Sequence, residues 1–175
     1  LYDKISTRYT KALARSMANT KQVKGSNIIN NSTTAGYTGG DGVVLVSASH
    51  PTLSGNQTNV LTTAADLNET SLEAALIQIA QMKDERGLKI ALRGMKLILP
   101  VNLQFVAERL LNSAGRVGTA DNDINAIKSM GMVPQGYVIN NFLTDTDAWY
   151  IKTDAPNGLK HFNRAPIRTA MEGDF

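Results

Sequence analysis

His50 and His161 are the only histidines in a sequence of 175 residues that contains no cysteine. His50 stands between Ser49 and Pro51, with Ser47 just upstream. A histidine beside a serine could act as the base of an acyl transfer. Such sites are assembled in space, however, and often carry a strained elbow such as G-x-S-x-G; none is present. His50 therefore reads as a loop histidine before a proline, and His161, between Lys160 and Phe162, as a structural one. A metal site needs ligands at compatible spacing, such as two on one helical face, and neither histidine has a His or Cys partner nearby. Asp121 with Asp123 and Asp145 with Asp147 hint at calcium loops, but no span completes the D-x-D-x-D-G…E register. Both pairs are accounted for as turns or caps. Gly36, Gly39, Gly40 and Gly42 lack the Gly-Lys-Ser/Thr and the following helix of a phosphate loop, so they read as a flexible turn. The sequence thus predicts no catalytic, metal or cofactor site.

What stands out instead is how charge is distributed. Residues 1–24 hold six Lys or Arg against Asp3, a net of +5, while the rest of the chain has 12 basic and 14 acidic side chains, a net of −2. The basic character belongs to the opening segment and not to the body. Within that segment Tyr2, Ile5, Tyr9, Leu13 and Met17 recur at helical spacing, and Lys4, Arg8, Lys11 and Arg15 do so on another face. The pattern predicts one helix over 1–24, about 36 Å long at about 1.5 Å per residue, stopped by Gly25 in a left-handed conformation. Its apolar face is expected to pack on the rest of the chain, and its basic face to meet a second subunit or a polyanion. Aromatic residues interleaved for base stacking are missing, which favours the subunit over nucleic acid.

The remaining composition sets the frame. Hydrophobic content of 42% and charged content of 19% call for a packed core. With aromatics at 6%, that core must be aliphatic. No apolar run approaches the about 20 residues of a membrane span. Along the chain, residues 26–42 read as a linker or exposed loop, with Ile28 and Ile29 either extending the helix or anchoring the loop, 43–46 as a short β-branched strand and 54–63 as a surface loop. Residues 67–87 read as a helix with a Thr70–Glu73 capping box, the apolar stripe Leu72, Leu76, Ile79 and Met82, and Gly87 as its stop. Extended pieces follow over 90–99. Asn102 is expected to cap a helix ending at 112, and a short helical turn covers 124–130. Strands over 137–139 and 148–152 are expected to pair as a hairpin, with Trp149 in the core. Residues 159–164 read as extended, and another strand begins at Pro166. This mixture predicts an α+β fold around a mixed sheet.

Several segments in order resemble one family. They are the basic opening helix, Tyr37-Thr38-Gly39-Gly40-Asp41-Gly42, Ser49-His50-Pro51, Leu67-Asn68-Glu69-Thr70-Ser71-Leu72-Glu73-Ala74-Ala75-Leu76 and Asp84-Glu85-Arg86-Gly87. Further on come Leu97-Ile98-Leu99-Pro100, Ala107-Glu108-Arg109-Leu110-Leu111, Asp147-Ala148-Trp149-Tyr150 and Met171-Glu172-Gly173-Asp174-Phe175. Together they look like the Mu-like major head subunit group of tailed-phage capsid proteins. The resemblance implies the Hong Kong 97-type capsid fold. Residues 1–42 would be the spine helix and linker of a peripheral domain, and 43–155 an axial domain with a central mixed sheet flanked by helices. Residues 156–175 would return toward the peripheral domain. It also implies that an N-terminal arm and closing strands lie outside this stretch, so that the chain is a fragment that would not assemble alone.

The resemblance implies a structural, non-enzymatic capsid subunit of a phage or prophage, located in the virion after assembly in the bacterial host cytoplasm. Its partners would be copies of itself in pentamers and hexamers, with scaffold or portal proteins and non-specific contact to packaged DNA. Lys4, Arg8, Lys11, Arg15, Arg116, Asp121, Asn122 and Asp123 are the residues expected where subunits meet. The competing readings are an encapsulin-like shell with protein cargo, a hydrolase built on His50, and a nucleic-acid-binding module built on the basic helix.

Overall fold

The opening amphipathic segment folds as one α-helix, α1 (Tyr2–Asn30), in a computed structural model that describes residues 2–116, 123–162 and 164–165. The helix does not stop at Gly25. That glycine keeps a negative φ and the helix continues through it to Asn30, giving a rod about 43 Å long at about 1.5 Å per residue. A glycine there lowers helix stability without ending the helix.

Beyond α1 come α2 (Glu69–Ala80), β1 (Gly94–Leu99), a 3-10 turn (Val101–Leu103), α3 (Gln104–Asn112), α4 (Ala126–Ser129), β2 (Tyr137–Ile139) and β3 (Tyr150–Thr153). The sheet order is β2-β1-β3. β1 pairs parallel with β2, Leu97 opposite Tyr137 and Leu99 opposite Ile139. It pairs antiparallel with β3, Leu97 opposite Ile151. The predicted hairpin between the last two strands therefore does not form: each borders β1 instead. Leu97 and Leu99 are fully buried, which makes β1 the strand with most to gain from a neighbour on both sides. A parallel neighbour needs a crossover connection, and α3 and α4 supply it.

The core is aliphatic, as composition demands. Leu72 and Leu76 of α2, Leu97 and Leu99 of β1, Ala107, Leu110 and Leu111 of α3 and Ile127 of α4 form one cluster with Leu67. Trp149 and Ile151 pack against its edge. α2 is shorter at both ends than the expected 67–87, and its cap lies before the expected box. Its cap is Asn68, whose Oδ1 accepts the Ser71 amide at 2.9 Å, while Ser71 Oγ accepts the Asn68 amide at 3.0 Å. This reciprocal pair displaces the Thr70–Glu73 box. After Ala80 the chain doubles back instead of staying helical. Asp84 Oδ1 accepts the amides of Arg86 and Leu88 at 2.9 and 2.8 Å, and Gly87 takes φ +87° in the turn. The short carboxylate side chain offers these amides partners that compete with the helix.

Other expectations also fail for identifiable reasons. Residues 43–46 make no strand; Val44 forms a single bridge to Thr38, and the Val46 amide donates to Ser32 O at 2.9 Å. Asn102 caps nothing: it lies in the 3-10 turn, and α3 begins after Leu103 with no side-chain cap. Residues 159–162 adopt no regular structure, and the strand expected from Pro166 lies outside the described residues. Two glycine substitutions test the fold with opposite signs. Gly25→Ala has open space for its methyl group and should increase α1 helicity and stability by about 0.5–1 kcal/mol. Gly94→Ala would bring a Cβ to 2.6 Å from Leu76 Cδ2 and 3.1 Å from Ile151 Cγ2, and should cost about 1–3 kcal/mol. Circular dichroism with urea denaturation reads both, and a loss of stability in Gly25→Ala would contradict the continuous helix.

Candidate functional site

The apolar stripe of α1 was expected to lie against the body of its own chain, and it does not. Every residue from 7 to 22 is exposed, and Ile5, Tyr9, Leu13 and Met17 are 47%, 72%, 54% and 38% exposed. The cause is plain: the contacts that hold α1 come from its last turns. The Ser26 hydroxyl and the Asn140 side-chain amide are hydrogen-bonded, with Asn140 Nδ2 donating to Ser26 Oγ at 3.0 Å. Asn30 Nδ2 donates to Phe142 O at 2.9 Å, and Asn30 Oδ1 accepts the Thr144 amide at 3.1 Å. Ser26 and Ser32 are buried in this clamp. The anchor is thus polar and local, and it leaves the preceding turns without a cover.

The opposite face of α1 is cationic and equally uncovered. At about 100° per residue, Lys4, Arg8, Lys11 and Arg15 fall within about 60° of one another, and roughly opposite the apolar stripe. All four are exposed, and none belongs to any of the three ion pairs found among the described residues. Of the other predicted interface residues, Arg116 is engaged within the chain. Its Nε donates to Glu69 Oε2 at 3.0 Å, and its Nη1 lies 3.9 Å from Asp123 Oδ2. The Glu69 carboxylate raises the Arg116 pKa still further. Asp123 is exposed beside it, while Asp121 and Asn122 lie outside the described residues.

Around β3 the chain gathers carboxylates. Asp145 Oδ1 accepts the amides of Asp147 and Ala148 at 3.2 and 3.3 Å, the turn that its sequence suggests. Hydrogen bonding from the neighbouring Asp147 side chain lowers the Asp145 pKa, and the same proximity raises that of Asp147, with Asp66 adding to the rise. Trp149 Nε1 donates to Ala65 O at 3.0 Å, which ties this turn to the approach to α2. Trp149 is therefore a structural brace at the core's edge.

His50 meets an acid that the sequence reading overlooked. Its Nδ1 lies 2.7 Å from Asp41 Oδ2. With an ionised carboxylate as acceptor, Nδ1 must carry the proton. Asp41 also accepts the Val43 amide through Oδ1 at 3.1 Å, and His50 depresses the Asp41 pKa. His50 Nε2 is buried and has no hydrogen-bond partner. Nearby hydroxyls are engaged elsewhere: Ser47 Oγ accepts the Ser49 amide, and Ser49 Oγ accepts from Asn56 Nδ2. The pair clasps the 39–43 turn to the 47–59 loop, and the His50 and Gln57 backbones exchange hydrogen bonds of 2.7 and 2.8 Å beside it. Asp41-Gly42 had shown only its turn chemistry in the sequence; nothing in the spacing pairs it with His50. Among the described residues no group of three or more His, Asp or Glu is arranged to hold a metal ion.

The clasp has a defined acid sensitivity. Asp41 has a lowered folded pKa, so the unfolded chain takes up its proton first as pH falls. Its contribution to stability is present above the ordinary carboxylate range and is lost on acidification through the depressed value. Asp41→Asn should therefore speed hydrogen exchange over residues 38–60 at neutral pH while leaving β1 unchanged, and should remove part of the acid sensitivity of that loop. Unchanged exchange in the loop would show that the pair does not hold it.

Comparison with known proteins returns one finding that covers the chain. A family model described as phage capsid protein matches residues 1–175. No curated protein and no solved structure matches. With an α+β body, a long opening helix and a small mixed sheet, the chain belongs to the phage capsid protein family.

Proposed function

We propose that this chain is a major head subunit of the Mu-like group, with the Hong Kong 97-type fold. In this reading α1 and residues up to 42 are the spine of a peripheral domain, 43–155 an axial domain, and 156–175 a return segment. The chain's work is to bind copies of itself in pentamers and hexamers that close into an icosahedral shell around DNA. Assembly would take place in the host cytoplasm with scaffold and portal proteins as further partners. The observation that carries the reading is the uncovered run of α1. The match to a phage capsid protein family supports it, because neighbouring copies in a shell would cover what the described body leaves exposed.

Large exposed apolar surfaces on a subunit mark contact with other molecules, and a ring of identical subunits meets through two different patches on each copy. α1 supplies one such patch, with Ile5, Tyr9, Leu13 and Met17 on one side and Lys4, Arg8, Lys11 and Arg15 on the other. Arg116 and Asp123, with Asp121 and Asn122, form a second region proposed to meet a neighbour.

Electron microscopy of the purified full-length protein tests this. Five- and six-membered rings, or closed shells, are expected. A protein that stays monomeric at high concentration, with and without scaffold, would contradict it. Shells filled with a protein cargo and no DNA would point to an encapsulin-like compartment.

A further inference from the structure

We propose that the cationic stripe of α1 docks on the carboxylate corner formed by Asp66, Asp145 and Asp147 of an adjacent copy. This rests on the shell reading above and names the surface that receives α1. The stripe needs an occupant of negative charge: Lys4, Arg8, Lys11 and Arg15 share one side of an exposed helix and form no ion pair among the described residues. The body of the chain has what the stripe lacks. Outside residues 1–24 the charge is −2, and the exposed Asp66, Asp145 and Asp147 form no ion pair among the described residues. Asp145 and Asp147 share one turn, in which Asp145 Oδ1 accepts the Asp147 and Ala148 amides, and Asp66 directly follows Ala65, which that turn's neighbour Trp149 grips. The Trp149–Ala65 hydrogen bond holds the two segments together.

The chemistry of this corner is consistent with the match. The Asp147 pKa is raised, first by its side-chain hydrogen bond with Asp145 and then by the nearby negative charge of Asp145 and, least, of Asp66; an arriving ammonium or guanidinium would offset that charge. Arg116 does not serve the three carboxylates, because Glu69 and Asp123 occupy it. A second copy fits better than DNA. The side of α1 opposite the cations is apolar and calls for protein, and the corner is displayed by the same chain that displays the stripe. A rod on one copy and a corner on the next give a heterologous contact that propagates around a ring.

A charge-swap series on the full-length protein decides the matter, with assembly followed by sedimentation and electron microscopy. Reversing the stripe (Lys4→Glu, Arg8→Glu, Lys11→Glu, Arg15→Glu) or the corner (Asp66→Lys, Asp147→Lys) should each lower the assembled fraction at least tenfold. Asp145 is left intact because its carboxylate holds the turn. Both reversals in one chain should restore assembly. Circular dichroism shows whether each variant folds. A milder stripe variant (Lys4→Gln, Arg8→Gln, Lys11→Gln, Arg15→Gln), which suits an exposed helix, keeps the test open if a reversal misfolds. It should assemble more weakly than the parent and lose the parent's sensitivity to sodium chloride. Folded single reversals that assemble like the parent, or a double reversal that gains nothing, would overturn the docking while leaving the shell reading intact. Loss of binding to a duplex DNA probe in the Gln variant, with assembly unchanged, would assign the stripe to DNA and also overturn it. A parent protein that forms no assemblies would remove the shell reading and this inference together.

Discussion

A helix held at one end is the constraint that governs this molecule. Burial of an apolar face is what usually stabilises a helix in a folded protein, since propensity and local pairing are weak by comparison. Over residues 7–22 every residue of α1 is exposed. Its anchorage is a polar clamp of Ser26 and Asn30 against the turn beginning at Asn140, with Ser32 buried just beyond against Tyr150. That clamp fixes where the helix leaves the body, and it does nothing for the turns beyond. Nothing among the described residues conceals Ile5, Tyr9, Leu13 and Met17, and the proposed cover is a neighbouring copy.

The body is suited to carry such an element. β1 threads the centre of the sheet with Leu97 and Leu99 buried, and α2, α3 and α4 close over the aliphatic cluster. The turn that grips α1 follows directly from β2, and Tyr150 of β3 approaches Ser32 through its hydroxyl at 3.5 Å. The rod is therefore attached to the end of the sheet. The long loop over 38–60 is built differently. Backbone bridges, Asn59 holding Ser47 and Leu45, and the Asp41–His50 pair hold it, with little apolar cover. Polar segments of this kind open more readily than a packed core.

Sequence showed the parts of this structure that depend on one segment at a time. The extended pieces expected over 90–99 contain β1, the Leu72–Leu76–Ile79 stripe revealed α2, and the helix expected to end at 112 is α3. What it missed depends on competition between segments. Gly25 looks like a stop, yet the clamp at Ser26 and Asn30 draws the helix past it. Val43 to Val46 have the composition of a strand but find no partner edge. The strands at 137 and 150 look like a hairpin, but the buried centre of β1 takes both. His50 was visible and Asp41 was not, because the loop that joins them closes through irregular backbone with no periodicity to read. The basic and apolar faces of α1 were legible from spacing alone; only the structure revealed that the apolar face is bare.

Hydrogen–deuterium exchange read residue by residue along α1 tests the central claim most directly. It compares the full-length protein before and after assembly. If neighbouring copies provide the missing cover, amides of residues 7–22 should exchange rapidly in the free subunit and at least tenfold more slowly in particles, with β1 protected equally in both. Equal exchange of that stretch in the two states would show that nothing shelters the rod, and would contradict this account.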